Sequence, residues 1–272
     1  MKPLLLVLLA ALISETARCE PSLAPSVPLP RPRPAENGSP ADKYLNDPDL
    51  ARIPDPDPPG MPSDCQVRMT DRIIAVFRSL PAITRAARGC GATDVVKLEG
   101  IILPDNTHIT MSPPATMRCT MAEAISHWVR DEVAPAFAKA GPPMRALDNY
   151  ASYDCRGRNN VASAKTSEHG YANALDVRGV RLADGKFVQF TDRTVKRDFR
   201  EELRKEACAK FTTVLGPGSD GYHEEHIHLD LAERRGGYRL CQWNVLDPVL
   251  VVPLPRPRPA DAPKAAEATV PE

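Results

Sequence analysis

The sequence has no excess of charge of either sign, since 35 basic side chains balance 35 acidic ones over 272 residues. That balance gives no long-range attraction to a polyanion. No basic stripe interleaved with aromatics occurs either, so no nucleic-acid partner is expected. Beyond the N-terminus there is no apolar run long enough to cross a bilayer, and no transmembrane segment is expected in the mature chain. No two cysteines sit at the close spacing of a cysteine zinc cluster, which removes that kind of metal site. Large apolar residues are scarce from residue 20 to about 63 and again towards the C-terminus, where proline is frequent. Such segments bury too little surface to offset their ordering entropy, so both flanks are expected to be extended or disordered.

The first residues carry an export signal. Met1-Lys2 supplies a positive start, Leu4 to Ile13 is an uncharged apolar run, and Ala17 and Cys19 suit a cut before Glu20. Cys19 also admits a second reading, as the lipid-bearing cysteine of a bacterial lipoprotein. Arg18 opposes it, because that site wants a small residue before the cysteine. Residues 1–19 are therefore read as a signal peptide, and the mature protein is expected to be periplasmic or secreted. Removing them leaves Cys65, Cys90, Cys119, Cys155, Cys208 and Cys241. An even number in an oxidising compartment points to three disulfides with the pairing open, against the alternative of buried free thiols.

The expected organisation is a Pro-rich linker over 20–63, one domain over 64–246 and a Pro-rich tail over 247–272. The string Val-Pro-Leu-Pro-Arg-Pro-Arg-Pro-Ala occurs at 27–35 and again at 252–260. Alternating proline favours a polyproline II helix, which suits a semi-rigid spacer or an envelope contact through the outward arginines. Inside the domain the pattern is α+β. A helix is expected from Thr70 to Ala87 with a break at Pro81, and a hairpin of Val95–Leu103 with His108–Met111 around Pro104-Asp105-Asn106. Thr120 and Glu123 form a capping-box signature for a helix through Trp128 to Ala140, stopped by Gly141-Pro142-Pro143. Strands are expected at Leu175–Val180 and Phe187–Phe190, a helix at Arg193–Lys210, a short strand at Phe211–Leu215 and a last strand near Glu225–Leu231.

Four of the six histidines fall in two short segments. The first runs from Ser167 to Asp176 and holds His169. The second runs from His223 to Asp230 and holds His223, His226 and His228. A catalytic zinc site takes three nitrogen or oxygen ligands and leaves a position open, so two histidines and a carboxylate from these segments suffice. In a strand, residues i and i+2 share a face, so His226 and His228 point the same way, with His223 and Glu225 opposite unless the strand begins late. His169, on a Gly-containing turn, and Asp176, early in a strand, are placed to meet them. Burying so many polar groups without a metal would demand many compensating hydrogen bonds.

These residues carry a resemblance. Ser167-x-His169-x-x-Ala172-x-Ala174-x-Asp176 resembles the signature of D-Ala-D-Ala metallopeptidases, with Ala172 where that signature has glycine. His223-x-x-His226-x-His228 resembles the second motif of penicillin-insensitive murein endopeptidases. Both belong to the LAS group, named for lysostaphin, D-Ala-D-Ala peptidases and sonic hedgehog. Over about residues 65–245 the chain is most similar to the bacterial extensin-like C-terminal domain family. The features are Ser152-Tyr153-x-Cys155-Arg156, the Ser-Glu-His segment, Val214-Leu215-Gly216-Pro217-Gly218, and His226-x-His228-x-Asp230 followed by Cys241.

The resemblance implies an α+β fold with a small antiparallel sheet, flanking helices and a LAS/hedgehog-like metallopeptidase core. It implies Zn2+ held by His169, Asp176 and His228, and hydrolysis of peptidoglycan stem peptides or cross-links by an endopeptidase or carboxypeptidase. The general base is open between His226, which strand geometry favours, and Glu225. Arg156, His223 and Ser167 are candidate substrate-binding residues, and Asp230 and Glu224 are candidates to orient histidines. The rival reading is a non-catalytic, zinc-stabilised wall-binding or structural envelope protein.

Overall fold

The computed structural model describes residues 61–84 and 89–247. The expected signal peptide, the linker up to residue 60, both Pro-Arg strings and the tail beyond 247 lie outside the described residues. The described chain is a mixed α+β structure. Helix α1 (Asp64–Asp71) is followed by strands β1 (Ala75–Leu80), β2 (Val95–Ile102) and β3 (His108–Arg118). A long helical stretch comes next, α2 (Cys119–Trp128) and α3 (Ala134–Ala140) joined by a π turn at Val129–Val133. Then come β4 (Met144–Ala151), β5 (Ala174–Leu182), β6 (Phe187–Gln189), α4 (Arg197–Lys210), β7 (Thr213–Leu215), β8 (Ile227–Asp230) and β9 (Leu240–Gln242).

The sheet is larger than expected. Nine strands form one sheet in the order β1-β2-β3-β4-β5-β8-β7-β9, with β6 also paired to β5. It is mostly antiparallel, but β3 with β4 and β7 with β9 run parallel. Strand β5 is the hub: β4 lies along one edge, while β8 pairs its first half and β6 its second.

Several local expectations need correction. Beyond Asp71, the described residues 72–84 of the expected helix are not helical, and 85–87 lie outside the described residues. Ser63 caps α1 by accepting a hydrogen bond from the Gln66 amide, and the helix ends by Arg72, where Ile73 takes a left-handed conformation with φ 49°. Ala75–Leu80 then pairs with β2. The capping box at Thr120 is not used either, because β3 runs directly into α2 and Arg118 stands at the N-cap with no side-chain cap bond. Glu123 instead takes a bidentate pair from Arg68 at 2.9 and 2.7 Å, which ties α1 to α2. The π turn sits just ahead of Pro135, whose missing N–H and ring bulk disfavour a regular helix there. The hairpin β2–β3, the stop at Gly141 and the β5–β6 pair match their expected positions.

Alternation along β5 and β8 separates two faces. Leu175, Val177, Ile227 and Leu229 enter the main apolar core, while Asp176 and His228 point the other way. The core is closed by helix side chains around Trp128, which meets Phe190 and Phe211 edge-on at 6.1 and 5.7 Å. Phe137 adds an edge contact to Phe199 at 4.9 Å. Three disulfides join Cys65 to Cys119, Cys90 to Cys155 and Cys208 to Cys241. They close chain separations of 54, 65 and 33 residues, each restricting the unfolded chain by about 3–4 kcal/mol on a chain-entropy view.

Among the described residues the indole N–H of Trp128 has no hydrogen-bond partner, so its contribution there is packing. Trp128→Ala is expected to cost about 3–5 kcal/mol in a denaturant melt. Trp128→Phe should cost clearly less, and equal losses in the two variants would contradict this packing.

Candidate metal centre

His169 is presented by a tight turn. Ser167 caps the short 3-10 helix Glu168–Tyr171, its hydroxyl accepting from the His169 amide at 3.4 Å. The turn closes through Ala172, whose amide donates to the His169 carbonyl at 3.0 Å, and through Asn173, whose amide donates to the Glu168 carbonyl at 2.9 Å. Ala172 has φ 51°, the left-handed region that favours glycine, so the alanine at the signature's glycine position sits in a conformation costing about 1–2 kcal/mol. Its fully buried methyl packs with Ala92 and Val95, which offsets part of that cost.

Gly170 is pressed against the Cys90–Cys155 disulfide. A Cβ there would fall 2.8 Å from Cys90 Sγ and 2.8 Å from Thr166 Cγ2. The Gly91 amide donates to the Gly170 carbonyl at 3.0 Å, so the disulfide and the turn form one braced unit behind His169.

Across the sheet, Asp176 of β5 stands directly opposite His228 of β8 in the strand register. The His169 turn lies over this pair. Asp176 Oδ1 is 2.9 Å from His228 Nδ1 and 3.1 Å from His169 Nε2, and the two nitrogens are 3.2 Å apart. All three residues are buried.

The outer hydrogen bonds decide which atoms carry protons. His169 Nδ1 lies 2.6 Å from the Ser152 carbonyl oxygen, which can only accept, so Nδ1 donates and Nε2 keeps its lone pair. His228 Nε2 donates to Asp230 Oδ2 at 3.0 Å in the same way, which leaves Nδ1 as the lone-pair atom. Asp230 is itself held by the Ala232 amide at 2.9 Å. Two imidazole lone pairs and a carboxylate oxygen therefore converge on one point. A proton on His228 Nδ1 or a metal ion would balance this arrangement, and histidines oriented by a carboxylate or carbonyl are common in metal centres.

The donor set fits the zinc that the motifs imply. Ligand atoms around a tetrahedral zinc lie about 3.3 Å apart for bond lengths of about 2.0–2.1 Å, close to the edges of this triangle. A second group of possible ligands, Cys65, Asp94 and Cys119, is no such centre, because the two cysteines are joined to each other.

Electrostatics agree with a cation-seeking site. Burial works against a charged His228, but Asp176 and Asp230 outweigh it and push its imidazolium up to about 10. Burial likewise opposes ionisation of Asp176, yet the two imidazoles hold it well below the usual carboxylate range.

The other expected residues are distributed as follows. His226 precedes β8, and its Nε2 lies 3.7 Å from Asp176 Oδ2 while its ring stacks on Tyr150 at 4.7 Å. Burial, then the neighbouring imidazoles, lower its pKa against the opposing pull of Asp176. His223 joins the same cluster, 5.1 Å from the His226 ring and 5.6 Å from that of His228. It does so because the strand begins only at Ile227, so alternation does not govern residue 223. Asp220 orients it through an Oδ1–Nδ1 contact of 2.7 Å.

Arg156 leans towards Asp176 Oδ2 at 3.6 Å while paired to Asp154 at 3.1 Å. Ser167 lines the cavity beside His169, with its hydroxyl committed to the turn. Glu225 is exposed and does not line that cavity, and its carbonyl accepts from Gln189 Nε2. Glu224 accepts from the Gly218 amide at 2.9 Å rather than from a histidine. Tyr150 and Asp220 were not foreseen. Tyr150 sits on β4, a strand whose burial alternates poorly, and Asp220 lies in a turn with no chemical signature of its own.

The model of the extensin-like protein C-terminus family matches residues 63–242. The chain belongs to that family. No curated protein and no solved structure matches the chain.

Two predictions test the centre. Gly170→Ala must displace the disulfide or the turn, and is expected to weaken divalent-cation retention while Gly185→Ala, at an open turn, does not. The second concerns pH. The folded-state pKa of His228 stands above its ordinary 6.5, so its stabilisation of the cation-free protein is full below pH 6.5 and is lost as the pH rises towards about 10. Chelated protein should therefore lose stability over that window and cation-saturated protein should not. Identical pH profiles for the two would contradict the assignment.

Proposed function

We propose that this domain is a zinc-dependent hydrolase of peptidoglycan stem peptides or cross-links, within the LAS type, acting after export in an oxidising compartment. One observation carries the reading: two imidazole lone pairs and a carboxylate oxygen, with tautomers fixed from outside, meet within 3.2 Å beside a cavity. Three protein donors leave a position open, which favours a catalytic over a closed structural site. The three disulfides support the compartment, since such bonds persist where the environment oxidises thiols.

Zinc held by His169, Asp176 and His228 supplies Lewis acidity, polarising a scissile carbonyl and acidifying water. His226 takes and returns the proton. It stands on the far side of Asp176, its ring fixed by the Tyr150 face, and a base so placed contributes roughly 10²–10⁴-fold. Its placement beside Asp176 favours it over the exposed Glu225 as the base. His223, whose Nδ1–H is held by Asp220, turns its Nε2 lone pair to the cluster and accepts a hydrogen bond there from water or a substrate N–H. Arg156 stands beside the centre with a guanidinium suited to a peptide carboxylate.

His228→Ala is expected to lose both bound zinc, read by elemental analysis, and hydrolysis of defined muropeptides, read by mass spectrometry. His226→Ala should keep zinc and lose turnover by roughly 10²-fold or more. Metal loss in that second variant would make His226 a ligand and favour the rival reading of a closed, structural site.

A further inference from the structure

A cavity of about 170 Å³ opens beside the centre and is reached by His169, His223 and His228 but not by His226 or Tyr150. Arg158 and Arg234 line the same cavity, as does Arg156, which is paired to Asp154. Arg234 is held in place by neutral oxygens, its guanidinium donating to the Thr212 carbonyl at 3.1 Å and to the Thr213 hydroxyl. Arg158 is exposed and its side chain meets no acid among the described residues.

The acids that share the wall are already engaged. Asp220 accepts from His223, the Tyr222 amide and Asn159. Asp230 accepts from His228 and the Ala232 amide. Glu168 accepts from Asn173 Nδ2 at 2.7 Å. Two guanidinium groups therefore face the cavity without a carboxylate of the protein between them.

Guanidinium groups in a partly enclosed cleft recognise carboxylates by paired N–H donors. The cavity is also small. Pockets that enclose drug-sized ligands run about 300–1,000 Å³, so this one suits a single small residue.

Resting on the hydrolase reading, we infer that Arg158 and Arg234 form a subsite for a free α-carboxylate, one small residue beyond the scissile bond. Substrate enters with its C-terminus in this cavity and the rest of the peptide leaving past His226 and Tyr150. The preferred substrate is then an uncross-linked stem peptide losing its terminal residue, not a cross-link. Arg156, nearer Asp176, meets a carboxylate elsewhere on the peptide, whereas Arg158 and Arg234 set which peptide end is admitted.

The test is isothermal titration of the zinc-loaded full chain with acetyl-D-alanyl-D-alanine and with its C-terminal amide, in the His226→Ala background to prevent turnover. The free acid is expected to bind at least tenfold more tightly, a ratio set by a charge-assisted contact of about 1.4 kcal/mol or more. Arg234→Gln and Arg158→Ala should each narrow that ratio while leaving zinc content unchanged. Equal affinity for acid and amide, or no binding of either, overturns the subsite. A parallel turnover assay with the unmutated protein compares monomeric and cross-linked muropeptides. Preference for the cross-linked form overturns the proposed orientation. Cleavage of neither form defeats the hydrolase reading, while the titration still decides the carboxylate subsite.

Discussion

The candidate site depends on one electrostatic constraint: two imidazole nitrogens and a carboxylate oxygen are held against each other on the polar face of a buried strand pair. Register places Asp176 and His228 opposite each other, and the turn over them adds His169. Neither imidazole can relieve the crowding by changing tautomer, because the Ser152 carbonyl and Asp230 hold the outer nitrogens. A proton on His228 or a bound cation would balance the crowding, and Asp176 with Asp230 supply the negative charge that favours either. The apolar side chains between these polar ones, Leu175, Val177, Ile227 and Leu229, anchor the same strands in the core. Packing and site geometry are thus two faces of one pair of strands.

The brace behind His169 shows how a small domain holds such a cluster in place. The Cys90–Cys155 bridge joins the segment before β2 to the segment carrying Ser152 and Arg156, and Gly170 is the only residue type that lets the turn rest on it. The bridge therefore fixes both the outer acceptor of His169 and the turn that carries it. On the other side, Tyr150 and Asp220 hold His226 and His223 beside the triad rather than within it.

Much of the site was legible because its chemistry is concentrated in two short, histidine-rich segments whose spacing constrains geometry. His169, Asp176 and His228 could be read as neighbours before any fold was known, and the hairpin β2–β3 and the pair β5–β6 followed from turn residues. The rest depended on long-range contacts. β1 was read as a helix because Thr70 to Phe77 has helical periodicity, but a left-handed Ile73 and pairing with β2 override it. β4 escaped notice because it alternates poorly, and with it went Tyr150. His223 was assigned to the wrong face because the start of β8 was set too early. Glu225 attracted attention by motif alone, and burial separates it from His226.

Whether His169, Asp176 and His228 share one zinc ion, as proposed, is read by X-ray absorption at the zinc edge of the loaded full chain. The expected result is a coordination shell of nitrogen and oxygen only, at about 2.0–2.1 Å, with the outer scattering of two imidazoles. Sulfur at about 2.3 Å, or a shell without imidazole scattering, would contradict it.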